Sequence, residues 1–202
     1  EVLDRWIAKL GDIITLIVNE VNIGLTKSLN KSITAIDTDY IARMDSDDVS
    51  RPDRFAVQSE FLDTHKDVAV IGAYIQEFSD ICENLGVRKF PLDTDGAKKL
   101  IYKANPLAHP AVMMRKSMFD DGISYDENYR TSQDLALWFD ILTAGYNVAN
   151  IDKVLLNFRR NDSVYKRRSN RKDSNLEFKV HEKGIYKLFG ISPYKSLFPI
   201  AR

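Results

Sequence analysis

The feature that most restricts this chain is a short apolar run, Tyr40-Ile41-Ala42-Arg43-Met44, that stops at Asp45-Ser46-Asp47-Asp48. Read as a strand, the run carries its acids to a sheet end, where ligands collect in open α/β folds. In extended chain, positions i and i+2 point the same way, so Asp45 and Asp47 present two carboxylates to one point. Paired hard oxygen anions suit Mg²⁺ or Mn²⁺, which keep waters and also bind phosphate oxygens. An Asp-rich turn before a helix uses the same residue types, so the cluster alone leaves both readings open. It is not a calcium EF-hand loop: the sixth and twelfth places from Asp45 hold Ser50 and Ala56 instead of Gly and Glu.

The surrounding pattern alternates helix and strand signals, which argues an α/β domain. Val2, Leu3, Trp6, Ile7 and Leu10 share one helical face, and Gly11 ends that helix. Ile13 to Val18 is a continuous apolar run of the kind found in buried parallel strands. Residues 22–33 read as a helix with Asn22 as N-cap and Leu25, Leu29 and Ile33 as its stripe. Ser50 is placed to cap a helix from Pro52 whose core side is Phe55, Phe61 and Leu62. Strands are expected at 68–78, 111–114, 148–151 and 154–158, and helices at 94–103 and 133–143, the latter closed by Gly145. The later elements mix types, so an α+β region is expected to follow the α/β part.

Composition excludes several classes. The 202 residues are enough for one domain or a tight pair. Lys plus Arg and Asp plus Glu each number 29, so no global charge excess draws the chain to nucleic acid or anionic lipid. Cys82 is the lone cysteine, which excludes an intramolecular disulfide and a cysteine-rich zinc site and suits a reducing compartment. No apolar run is long enough to span a bilayer. The chain opens at Glu1 inside a helical pattern, from which a preceding N-terminal piece is expected. One strong charge run, Lys166, Arg167, Arg168, Arg171 and Lys172, reads as a solvated surface or an anion-seeking tail. The apolar, aromatic stretch from Ile185 to Ile200 could lie on a membrane interface, pack on the domain or pair with another chain.

Three segments together carry a resemblance: Asn22-x-Gly24-Leu25-x-x-Ser28-Leu29-Asn30, Tyr40 to Asp48, and Arg51-Pro52-x-Arg54-Phe55-x-x-Gln58. They resemble the middle of a family 2 glycosyltransferase of the GT-A fold. The resemblance implies an α/β fold with a mixed, mainly parallel sheet flanked by helices, lacking the N-terminal part of the nucleotide-binding region. It implies a transferase domain over 1–160 and a basic, helical tail over 161–202. Asp45 and Asp47 would hold a divalent cation, Mn²⁺ or Mg²⁺, on the diphosphate of a nucleotide-sugar donor. Asn22, Gly24, Arg43, Asp45 and Ser46 would bind substrate. Asn105 to Met113 resembles the family's His-Pro segment, which puts His109 on the sugar and acceptor side of the cleft. Its residues alone allow an ordinary loop histidine held by Pro110.

Ser132 to Trp138 resembles the family's Glu-Asp-x-x-Leu-Trp motif, with Gln133 in place of Glu. That likeness makes Asp134 the general base; without it, an acid there only complements the helix dipole. The chemistry needs such a base, because a sugar hydroxyl is a poor nucleophile until its proton is taken. Phe158-Arg159 resembles a segment whose arginine reaches phosphate. The implied activity is metal-dependent, inverting transfer of a sugar to a saccharide or lipid-linked acceptor in bacterial surface-polysaccharide synthesis. The implied place is the cytoplasm, peripheral at the inner membrane surface, with no nucleic-acid partner. The competing expectation is a truncated, non-catalytic remnant that serves as a binding or interaction module.

Overall fold

The computed structural model describes residues 2–160 and 171–190, the side chains of 171–174 excepted. In chain order, α1 (Val2–Leu10) and a 3₁₀ turn (Gly11–Ile13) precede α2 (Leu25–Thr34), β1 (Tyr40–Ala42), β2 (Val49–Ser50) and α3 (Arg54–Thr64). Then come β3 (Val68–Phe78), β4 (Gly86–Arg88), α4 (Thr94–Leu100) and a 3₁₀ turn (His109–Ala111). The described chain ends with β5 (Met113–Arg115), α5 (Lys116–Asp120), α6 (Gln133–Thr143), β6 (Asn147–Arg159) and α7 (Arg171–Phe189). No helix among the described residues is long and apolar enough to cross a membrane.

Six strands form one sheet in the order β1-β5-β3-β6-β2, with β4 also on β3. The sheet is mixed and flanked by helices, as expected, but its parallel share is smaller than expected. Only β3 and β6 run parallel among the described strands; the other four pairings are antiparallel. The expected pair of strands at 148–151 and 154–158 is one continuous strand, β6, because β3 offers a partner along its length.

Alternation along the central strands feeds two cores. Val70, Met114 and Val148 face one side with Leu135, Leu137, Trp138 and Ile141 of α6. Ile71, Met113 and Ala149 face the other side with Leu62 of α3. Helix α7 joins the first core through Val180 and Ile185. Its approach to α6 needs a glycine: a Cβ at Gly184 would lie 2.3 Å from the Phe139 ring.

The expected strand at Ile13–Val18 does not form. Residues 14–19 are irregular, and Ile13, Leu16 and Val18 are exposed at 81%, 50% and 68%. No described strand pairs with this run, and an apolar sequence cannot satisfy its own backbone as a lone strand. Helix α1 forms where expected, yet none of its residues is buried. The helix expected from Asn22 begins at Leu25, with Gly24 as N-cap. Gly24 has φ +84°, which glycine adopts readily, and its N–H donates to Asn22 Oδ1 at 3.0 Å.

Helix α3 keeps Phe61 and Leu62 on the core as expected but departs at its start. Ser50 lies in β2, the N-cap is Asp53, and Phe55 is 58% exposed. The buried stripe is Arg54, Gln58 and Leu62, spaced i, i+4, i+8.

Candidate active site

The site is built where β1 ends. The Arg54 guanidinium is wholly buried, and its Nη2 donates to the carbonyls of Arg43 (2.7 Å) and Val112 (3.1 Å). Its Nε donates to Gln58 Oε1 at 3.0 Å. Gln58 Nε2 then donates to Ala111 O (2.8 Å) and Ile71 O (3.2 Å). One helix face thus ties the end of β1, the 109–112 segment and β3 together from beneath. Burial, then the nearby Arg43, lowers the Arg54 pKa to about 10, against the opposing pull of Asp48.

Beyond Ala42 the chain leaves the strand and turns, with Asp48 N–H donating to Asp45 O at 3.3 Å. The turn, rather than strand alternation, gathers the acids, and it brings in a third. Carboxylate oxygens of Asp45, Asp47 and Asp48 lie within 4.8 Å of one another. Asp45 is half-buried, Asp47 exposed and Asp48 buried. Ser46 sits exposed between them.

Arg43 grips Asp45 with both guanidinium nitrogens, Nη1 to Oδ2 at 2.7 Å and Nη2 to Oδ1. Arg159 braces the other side. Its backbone N–H donates to Asp48 Oδ1 (2.9 Å) and its Nε to Asp47 O (3.0 Å). Its guanidinium also pairs with Asp80 and lies 4.7 Å from the Phe78 ring. Arg159 therefore clamps the acidic turn in this structure.

Burial, with Asp45 and Asp47 adding to it, pushes the Asp48 carboxyl up to about 6 against the Arg159 N–H. Asp48 Oδ2 is buried and has no hydrogen-bond partner. Three clustered hard oxygen donors, one of them orphaned, fit a Mg²⁺- or Mn²⁺-sized cation. The bidentate Arg43 contact means that a cation at Asp45 would share that carboxylate.

The second half of the site comes from the segment before β5, the loop before α6 and the first turn of α6. His109 is buried, its Nε2 lies 2.6 Å from the Tyr125 hydroxyl, and its ring meets Trp138 edge-on. Burial, then Arg43, holds the His109 pKa well below the ordinary value, so it is neutral at pH 7. It is committed to the interior rather than to an open cleft. Asn30 of α2 fixes Tyr125 through its backbone N–H (3.0 Å) and carbonyl (2.9 Å).

Burial raises the Tyr125 pKa; Arg43 opposes this and Asp134 adds to it, so this phenol feels charge from both halves of the site. Asp134 stands half-buried in the first turn of α6, and Asn105 Nδ2 donates to its Oδ2 at 3.0 Å. Ser132, just before it, has φ +57°, the one left-handed non-glycine among the described residues. Such strain persists where surrounding structure enforces it.

Asn22 and Gly24 shape the start of α2 and show no contact with the acidic turn among the described hydrogen bonds. Lys166, Arg167 and Arg168 lie outside the described residues, as do the side chains of Arg171 and Lys172 and everything beyond Gly190. Sequence reasoning missed Asp48, Arg54, Gln58, Asn105 and Tyr125 as parts of the site. The i, i+4 spacing of Arg54 and Gln58 was a usable signal for a shared face. Asn105 and Tyr125 are joined to their partners across the fold, and neither pairing has a local signature.

Comparison with known proteins gives this geometry a family. Glycosyl transferase family 2 matches residues 1–123. The amylovoran biosynthesis glycosyltransferase AmsE of Erwinia amylovora is 32% identical over 83% of this chain and 62% of its own length. The UDP-Gal:alpha-D-GlcNAc-diphosphoundecaprenol beta-1,3-galactosyltransferase of Escherichia coli is 30% identical over 89% of this chain and 64% of its own. The chain thus spans less than two thirds of these curated relatives. Residues 1–349 of S. aureus TarS, solved in complex with UDP-GlcNAc, share the fold at TM-score 0.67 and 14% identity. That match covers 98% of this chain and 58% of the other. With a tip of clustered acids, a buried support beneath it and a family match over most of its length, the chain belongs to glycosyl transferase family 2.

Proposed function

We propose that this chain is the acidic-turn and acceptor-side part of an inverting sugar transferase. It would act on a nucleotide-sugar donor and a saccharide or lipid-linked acceptor in bacterial surface-polysaccharide synthesis. The observation that carries this reading is the convergence of Asp45, Asp47 and Asp48 at the end of β1, with one buried oxygen unpartnered. Asp45, Asp47 and Asp48 would hold Mn²⁺ or Mg²⁺, which when bound neutralises the leaving nucleoside diphosphate. Arg159 and Arg43 keep the acids facing one another and lie where an anionic group would be drawn. Asp134 takes the acceptor hydroxyl's proton as that oxygen attacks the anomeric carbon. One carbon–oxygen bond forms as the bond to the diphosphate breaks, which inverts the centre. The two curated relatives named above are both bacterial glycosyltransferases, one named for amylovoran biosynthesis and one for a diphosphoundecaprenol-linked acceptor, and they support this setting.

Thermal stability read against Mn²⁺ and UDP tests the donor side. Ligand bound to the native state raises the melting temperature, so a rise of several degrees is expected, and Asp47→Asn removes it. No shift at millimolar ligand would overturn the donor reading and favour the remnant. On the acceptor side, Asp134→Asn abolishes transfer while leaving the UDP-dependent shift intact; unchanged turnover would remove Asp134 as base.

A further inference from the structure

Asp134 has a partner that positions it. We propose that Asn105 is a positioning residue for the Asp134 carboxylate, an inference that rests on the reading of Asp134 as base. Asn105 Nδ2 donates to Asp134 Oδ2 at 3.0 Å across 29 residues of chain. The Asn105 Oδ1 is buried with no hydrogen-bond partner. That choice is informative. The opposite amide orientation would turn an acceptor oxygen toward a carboxylate, so the donation to Asp134 decides which way the amide lies.

The platform under Asn105 is rigid. The next residue's carbonyl, Pro106 O, accepts from Asn150 Nδ2 at 3.1 Å, and the same amide donates to Pro91 O at 2.7 Å. Asn150 belongs to β6, is buried, and lies so close to Gly72 of β3 that a Cβ there would sit 2.1 Å from Asn150 Oδ1. The loop bearing Asn105 is therefore pinned to the two central, parallel strands. Asp134 rides on α6, whose Leu135, Leu137 and Trp138 are buried in the main core. Two fixed elements meet at this hydrogen bond, which holds Asp134 Oδ2 toward the Asn105 amide.

The chemistry of the donor suits a base. A neutral amide orients a carboxylate while adding no full positive charge, whereas an arginine lowers a carboxylate's proton affinity strongly. The contrast stands within this site: Arg43 holds Asp45, and Asn105 holds Asp134.

The test compares wild type with Asn105→Ala and Asn105→Asp, with Asp134→Asn identifying the Asp134 signal. Carboxyl ¹³C NMR follows the Asp134 titration on the chain alone, without donor or acceptor. Loss of a donor to the charged form raises the midpoint, by about 0.5 to 1 pH unit in Asn105→Ala, and the like charge of Asn105→Asp raises it further. In the transfer assay, kcat falls about 10-fold in Asn105→Ala while the donor KM stays within about twofold, because only the base is misdirected. A midpoint and kcat equal to wild type in both variants would overturn the proposal. Asn105→Asp keeps the side-chain shape, so it decides the matter if Asn105→Ala fails to fold. If Asp134→Asn retains transfer, the base reading falls by itself, whatever Asn105 does.

Discussion

At Asp48, burial and neighbouring charge act together: removal from water, then Asp45 and Asp47, push its carboxyl up to about 6 against the pull of the Arg159 N–H. His109 shows the opposite case, a base kept neutral by burial. Its unfolded pKa is about 6.5, and its folded value lies well below that. Between those values the unfolded state binds the extra proton, so stability is present above about pH 6.5 and is lost as pH falls. This residue contributes a slope of up to ~1.4 kcal/mol per pH unit in that window. His109→Gln keeps a polar partner for Tyr125 but cannot charge. Urea unfolding at pH 7, 6 and 5 is expected to show a shallower acid loss for the variant than for wild type. Gly72 is constrained by space rather than by φ. Gly72→Ala drives a methyl into Asn150 Oδ1, whose amide is held by Pro91 and Pro106. The expected cost is about 1–3 kcal/mol in urea unfolding.

Helix α3 shows how an element can be assigned correctly and faced only in part. Its position was legible from Pro52 onward, and Leu62 is buried with Phe61 packed beside it as expected, but Phe55 is exposed while Arg54 and Gln58 are buried. Polar side chains went inside because carbonyls of Arg43, Val112, Ala111 and Ile71 needed donors there. Arg54→Met removes those donors and leaves buried acceptors unpaired, so about 2–4 kcal/mol of stability should go, measured by denaturant unfolding. Helix α6 was fully legible, since its dense apolar pattern from Gln133 to Thr143 matches the observed span. Ile13–Val18 was not, because a strand exists only with a neighbour to pair it.

Across the whole molecule, the described N-terminal region is attached lightly. Helix α1 buries nothing, and the Ile13–Val18 run is largely exposed. Deleting residues 1–13 is therefore expected to lower the melting temperature by no more than about 2–4 °C, read by circular dichroism. A much larger loss would show that this region carries stability its burial does not reveal.

Local pattern was enough for the α/β class, most helix and strand positions, the acidic tip and the family likeness, because periodicity and short motifs are written in neighbouring residues. Strand direction, the carbonyls that Arg54 and Gln58 hold, the Arg159 clamp on the acidic turn and the Asn105 contact with Asp134 were decided only when distant segments met. Hydrogen bonds between residues as far apart as 105 and 134 depend on how layers stack, and no single stretch of chain encodes that.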